Sequence, residues 1–185
     1  MLWHWAGTFG TAAILSGLGG YIHRVAEVRS RFYWSVIMVH IPDLTPMEHP
    51  QLIAVGWLAQ GEPFSRGPIS EAFVDALLGL LENPWQPYVA GGAHHCPFCR
   101  ISGGPAQLQR EGRSIRLGQL NLFVPYEGRI LVSPSLIAHY IDAHEYAPPE
   151  IFRAAVLKCP PMRSIKYLRA ILSNGPPGFP RREAR

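Results

Sequence analysis

The apolar positions of this chain come in short blocks cut by proline and glycine, a pattern that predicts many short elements rather than a few long helices. Leu52-Ile53-Ala54-Val55-Gly56-Trp57-Leu58 is a near-continuous apolar run ended by Gln60-Gly61-Glu62-Pro63, as in a buried strand. Ser70 stands where a helix N-cap is wanted and Glu71 suits the first turn. Phe73, Val74, Leu77, Leu78 and Leu81 then share one stripe, so a helix is predicted up to the stop at Asn83-Pro84. Trp85 to Ala90 reads as a strand, and the polar, glycine-rich stretch Ser102 to Gly112 as a mobile loop. Leu117 to Val124 and Arg129 to Val132 read as strands joined through Pro125-Tyr126-Glu127-Gly128, which makes a hairpin. Three short helices complete the pattern. Ser135 caps one that runs to about His144. Pro149-Glu150 opens another, whose apolar side is Ile151, Phe152, Ala155, Val156 and Leu157; Ser164 caps the last, through Leu172. This order predicts an α+β fold: a small mixed domain with a β-hairpin and several short helices.

The ends of the chain differ from the middle. Residues 1–22 are almost wholly apolar or small, and they fit a membrane span or a secretory signal poorly, because His4 and five glycines interrupt them and the arginines come afterwards. Met38 is a candidate internal start. The chain therefore divides into an apolar N-terminal appendage at 1–40, a compact domain at 41–173 and a disordered basic tail at 174–185. At 185 residues with 48% hydrophobic content, one real core can be buried. No stable membrane insertion of the main domain is expected.

Chemistry concentrates at Gly91-Gly92-Ala93-His94-His95-Cys96-Pro97-Phe98-Cys99. Two cysteines two residues apart in a tight turn aim both sulfurs at one point and form half of a tetrahedral metal site. The second half is expected from His139 and His144, whose separation falls in the H-x₃₋₅-H range. The expected site is thus a structural Zn²⁺ held by Cys96, Cys99, His139 and His144. On a regular helix the two histidines would point about 140° apart, so both reach one ion only if the helix frays or tightens at its end. His94, His95 and Cys159 are rival ligands. A thioredoxin-like redox role for the CxxC is disfavoured because Gly103-Gly104-Pro105 follows it closely and no helix obviously starts there. Three cysteines, two of them in the CxxC, argue against a disulfide framework, and a reduced, cytoplasmic setting is expected.

Charge is uneven. Residues 1–91 carry four Lys/Arg and seven Asp/Glu, whereas residues 92–185 carry thirteen and six. A basic second half can meet a protein or nucleic-acid partner. An enzyme reading, a zinc-dependent hydrolase with an open metal position, would draw its general base from Asp142, Glu145 or Glu150. However, the chain contains no H-E-x-x-H, no deaminase signature, no glycine-rich phosphate loop and no G-x-S-x-G. A non-enzymatic binding module is the leading expectation.

Several spaced motifs occur together: Gly56-Trp57-Leu58 with Gly61 and Pro63-Phe64; His94-His95-Cys96-Pro97-Phe98-Cys99; and Asn121-Leu122-Phe123-Val124-Pro125. These are followed by Pro134, Ile137, His139-Tyr140-Ile141, His144, Tyr146, Pro148-Pro149, Phe152, Ala155-Val156 and Cys159-Pro160-Pro161. Over about residues 50–172 the chain resembles a family of small bacterial cytosolic proteins of unknown function with a CxxC knuckle, an Asn-Leu-Phe-Val-Pro strand and an HYIxxHxYxPP helix. The resemblance implies a zinc-binding domain and carries no activity with it.

Overall fold

The computed structural model describes residues 40–86, 94–110 and 112–179. The expected appendage, apart from His40, lies outside these residues, as does most of the expected Trp85–Ala90 strand; Trp85 and Gln86 themselves are not in a strand. The described elements run β1 (Leu52–Ala54), α1 (Glu71–Leu81), β2 (Gln107–Arg110), β3 (Arg113–Arg116), β4 (Asn121–Tyr126), β5 (Arg129–Pro134), α2 (Ile137–His144), α3 (Glu150–Lys158) and α4 (Ile165–Asn174). The fold is mixed, as the pattern of apolar blocks predicts. No helix among the described residues is long and apolar enough to cross a membrane.

A three-stranded sheet ordered β1-β5-β4 forms the centre, with β1 parallel and β4 antiparallel to β5. Its strands alternate between two buried faces. Leu52, Phe123, Ile130 and Val132 pack with Tyr167 and Ile171 of α4, while Ile53, Leu122, Val124 and Leu131 pack with α1, α2, α3 and Cys96. Burial on both faces explains why these strands read as apolar runs instead of alternating ones. The first strand is shorter than the seven-residue run predicts. The chain leaves extended pairing at Gly56, whose N–H is taken by the Asp43 carboxylate at 2.8 Å. That carboxylate also accepts the buried Tyr146 hydroxyl, at 2.8 and 2.9 Å to its two oxygens.

The predicted β4–β5 hairpin exists, shifted toward its turn. Tyr126 pairs with Arg129, so the loop is Glu127-Gly128, both at positive φ (40° and 76°), which matches the right-handed twist of the flanking strands. Pro125 belongs to the strand rather than to the turn. It is tolerated because Ile130, its partner, gives its N–H to Gln51 on the β1 side, which leaves the missing N–H of Pro125 on the outer edge. Two side chains close the rest of that edge. The Gln86 amide donates to Asn121 O at 2.7 Å and accepts from Asn121 N at 3.1 Å, standing in for a strand residue, and Tyr167 Oη donates to Phe123 O at 2.8 Å.

The stretch expected to be a mobile loop, Ser102 to Gly112, contains strand β2, which pairs antiparallel with β3 just beyond it, Leu108 opposite Ile115. Both side chains turn into the core, Ile115 fully, and Arg110 pairs with Glu71 while Arg113 donates to the Asp75 carbonyl, so contacts with α1 order a stretch whose composition is polar. Ser70 and Ser164 cap α1 and α4 as predicted, accepting from Phe73 N and Tyr167 N. Ser135 does not cap α2; its hydroxyl is buried with no partner among the described residues, and the N-cap position is Leu136. Leu157, assigned to the apolar side of α3, is exposed instead. The start of the expected tail is held on the sheet: Asn174 Oδ1 accepts from Gly128 N at 2.6 Å, and the Phe179 ring packs against Trp85 and Phe123.

Candidate metal centre

The knuckle reaches the core because backbone hydrogen bonds hold both of its sides. His94 N donates to Gly118 O at 2.7 Å, Cys96 N donates to Gly103 O, and Gly103 N donates to Cys99 O at 2.8 Å. The segment before the cysteines is thereby tied to the loop after β3, and the segment after them folds back over the turn. Two glycines make room. Gly118 lies at φ +73°, where an added Cβ would sit 2.0 Å from the His94 carbonyl oxygen. Gly104 lies at φ +83°, where a Cβ would stand 2.8 Å from Cys96 Cβ and 3.3 Å from His139 Nε2. Both positions combine a left-handed backbone with a close approach that only glycine accommodates.

The histidines come from α2, and they meet because its last turn is widened. Glu145 N, at a left-handed residue, donates to Tyr140 O five residues back, and Tyr146 N donates to the same carbonyl at 3.1 Å. A turn closed over five residues rotates less per residue than an α turn, so the chain returns to nearly the same side after five steps. His139 and His144 then stand 5.0 Å apart between ring centroids with their planes perpendicular. The sequence-based expectation was a frayed or tightened end. The helix instead runs on to His144, and its last turn is wider than an α turn, neither frayed nor tightened.

Cys96, Cys99, His139 and His144 converge with all four ligand atoms within 4.8 Å of one another. Cys96 Sγ lies 3.2 Å from His144 Nε2, and Cys99 Sγ lies 3.3 Å from His139 Nε2 and 3.6 Å from His144 Nε2. A tetrahedral ion with ordinary metal–sulfur and metal–nitrogen bonds has sulfur–nitrogen edges of about 3.6 Å, so the cluster has the dimensions of a metal site. Cys96 and His139 are buried, while Cys99 and His144 are half-buried, so the group is set in the core wall with one side toward solvent. Phe98 packs on His144 (5.0 Å between centroids) and Tyr140 (5.8 Å), and Phe64 packs on Phe98 (5.4 Å) and Tyr146 (6.1 Å), which fixes the rings of the helix against the knuckle.

The electrostatics suit neutral imidazoles. Burial lowers the pKa of His139, with His144 adding to the effect, and burial together with the nearby Arg66 lowers that of His144. Both lone pairs are thus available near neutral pH. Burial raises the Cys96 thiol, so its ionisation calls for a cation at the sulfur. The buried Tyr140 hydroxyl is also pushed up, by desolvation first and then by Cys96 and Cys99.

The rivals lie outside this cluster. His94 serves through its backbone. The His95 ring lies over Gly103, 3.1 Å from where a Cβ would be, and the residue is otherwise exposed. Cys159 follows α3 and packs among hydrophobic side chains; burial pushes its thiol up to about 12. Gly104, Gly118 and Arg66 carry parts of the site that sequence reasoning did not single out. The only local signal was the Gly103-Gly104 pair close behind the second cysteine.

Residues 39–157 match the family described as Domain of unknown function (DUF7919). No curated protein and no solved structure matches the chain.

Proposed function

The chain belongs to this family of unknown function, and we propose that it is a non-enzymatic binding module whose fold is locked by one structural Zn²⁺ on Cys96, Cys99, His139 and His144. The observation that carries this reading is the convergence of two sulfurs and two imidazole nitrogens, with three sulfur–nitrogen edges close to those of a tetrahedral site. An S₂N₂ donor set suits zinc, and four protein ligands leave no position for a reactive water. A reducing compartment such as a bacterial cytosol is where such thiolates persist.

The surroundings support binding over catalysis. Of the carboxylates that could serve a hydrolase, Glu145 pairs with Arg66 at 3.8 Å and Glu150 pairs with Arg153. Asp142 is exposed at the edge of a small apolar pocket of about 30 Å³ lined by Val74, Leu108 and Ile141. Among the described residues, Arg100, Arg116, Arg129, Lys158, Lys166 and Arg169 make no side-chain hydrogen bond or ion pair and remain available to an acidic protein or nucleic-acid surface.

Elemental analysis of the purified chain tests the metal. About one zinc per chain is expected, lost together with much of the fold in Cys96→Ser or His139→Ala, because a structural zinc contributes on the order of 10 kcal/mol of folding energy. Protein purified without chelators that contains no metal overturns the reading. Binding to mixed DNA and RNA at low salt tests the nucleic-acid partner; such binding weakens steeply as salt rises, through counterion release. No binding at low salt leaves a protein partner.

A further inference from the structure

On the side of the sheet away from the metal centre, α4 is apolar twice over. Tyr167 and Ile171 are fully buried against Phe123, Ile130 and Val132, which accounts for the inner face. At about 100° per residue, Ile165, Leu168 and Leu172 fall within roughly 60° of one another on the outer face. They are exposed by 68, 37 and 63%, and Leu157 at the end of α3 by 53%. Of the six large hydrophobic side chains exposed among the described residues, four therefore lie between 157 and 172.

This stripe sits in a segment with no counter-charge. From Ile151 to Arg182 the chain has seven Lys/Arg and no Asp or Glu. Lys166 and Arg169 stand on one flank of the stripe on α4 itself and make no side-chain hydrogen bond or ion pair with any described residue. An aliphatic ridge flanked by unpaired cations is the pattern of a helix that rests in the headgroup layer of an anionic bilayer.

We propose that the outer face of α4 is a docking surface for an anionic phospholipid membrane, with Ile165, Leu168 and Leu172 entering the interface and Lys166 and Arg169 meeting lipid phosphates. The exposed aliphatic side chains and the unpaired cations beside them together select this occupant. A second copy pairing α4 against α4 antiparallel would bring the same cations together and repel. A nucleic acid would satisfy the cations but leave the aliphatic side chains in water. The surface is separate from the metal centre and does not depend on zinc being the ion there.

The test uses the full chain and co-sedimentation with vesicles of phosphatidylcholine and phosphatidylserine in about a three-to-one ratio, against vesicles of phosphatidylcholine alone. Binding to the mixed vesicles is expected, reduced by added salt. Lys166→Glu with Arg169→Glu lowers it by about 25-fold or more, since each cation near an anionic surface contributes roughly a fivefold gain. Ile165→Ser with Leu172→Ser lowers it at least about tenfold. These side chains are exposed, so metal content and melting temperature stay as in the parent chain, which separates this test from the zinc reading. Failure to bind the mixed vesicles overturns the proposal. Binding that both double variants retain, or equal binding to neutral vesicles, assigns any membrane contact to the apolar residues 1–22 and overturns it as well. A dimer in sedimentation equilibrium that Ile165→Ser with Leu172→Ser dissolves would make a second copy the occupant and overturn it too.

Discussion

Gly104→Ala is the substitution that most directly probes how the knuckle is seated. At φ +83° an alanine carries a strain of about 1–2 kcal/mol that glycine does not. Its Cβ would also lie 2.8 Å from Cys96 Cβ, so either the knuckle or the Gly103-Gly104 loop must shift by several tenths of an ångström. Overpacking of that kind costs about 1–3 kcal/mol in a well-packed core. The expected sum is a loss of about 2–5 kcal/mol, a large part of the total stability of an ordinary domain. Because the same Cβ would stand 3.3 Å from His139 Nε2, the displacement falls on two ligands at once, and metal affinity should drop together with stability. Urea unfolding followed by circular dichroism reads the first effect, and competition with a chromophoric zinc chelator reads the second. Gly79→Ala is the internal control: it lies inside α1, a Cβ there meets nothing within 4 Å, and a gain of about 0.5–1 kcal/mol is expected. If Gly104→Ala matches the parent chain in both assays, the packing argument for the site is wrong.

Three further outcomes are expected. Stripping the metal with a strong chelator should collapse the cooperative thermal transition, and adding back zinc should restore it; an unchanged melting curve would show that the four residues do not hold a structural ion. Tyr146→Phe removes the hydroxyl that Asp43 accepts while Gly56 N–H still meets that carboxylate, so a loss of about 1.5–3 kcal/mol in urea unfolding is expected, and no loss would mean the bond contributes nothing. Burial raises the Cys159 thiol from an ordinary value near 9.0 to about 12, so the unfolded chain loses this proton first. The stability due to Cys159 is therefore complete below pH 9 and declines as pH climbs toward 12. The gap in unfolding free energy between the parent chain and Cys159→Ala should narrow over that range, and a gap independent of pH would contradict the burial of the thiol.

Features that depend on near neighbours in the chain were legible without the structure. The caps at Ser70 and Ser164, the stop at Asn83-Pro84 and the existence of the β4–β5 hairpin follow from side-chain hydrogen bonding and turn chemistry acting over a few residues. That Cys96, Cys99, His139 and His144 form a group that could hold a metal ion was legible for the same reason, since a CxxC turn and a pair of histidines on one helix are local patterns.

What the sequence by itself determined is thus where the helices lie, that a β4–β5 hairpin exists and which side chains can ligate. The tertiary structure decided where those segments pair and how the ligands meet. Polar composition marked Ser102–Gly112 as a loop, but Leu108 packs on the core opposite the buried Ile115 of β3, which makes a strand of its latter half. Ser135 looked like a cap, but the entry to α2 is buried and its hydroxyl faces no N–H. A helical wheel holds His139 and His144 apart; the closure of Glu145 and Tyr146 onto the Tyr140 carbonyl, in a chain also held by Tyr146 to Asp43, brings them together. Local rules act through torsions and nearest neighbours, whereas register, burial and the width of a helix's last turn are set by contacts between residues dozens of positions apart, whose partners no short window of sequence contains.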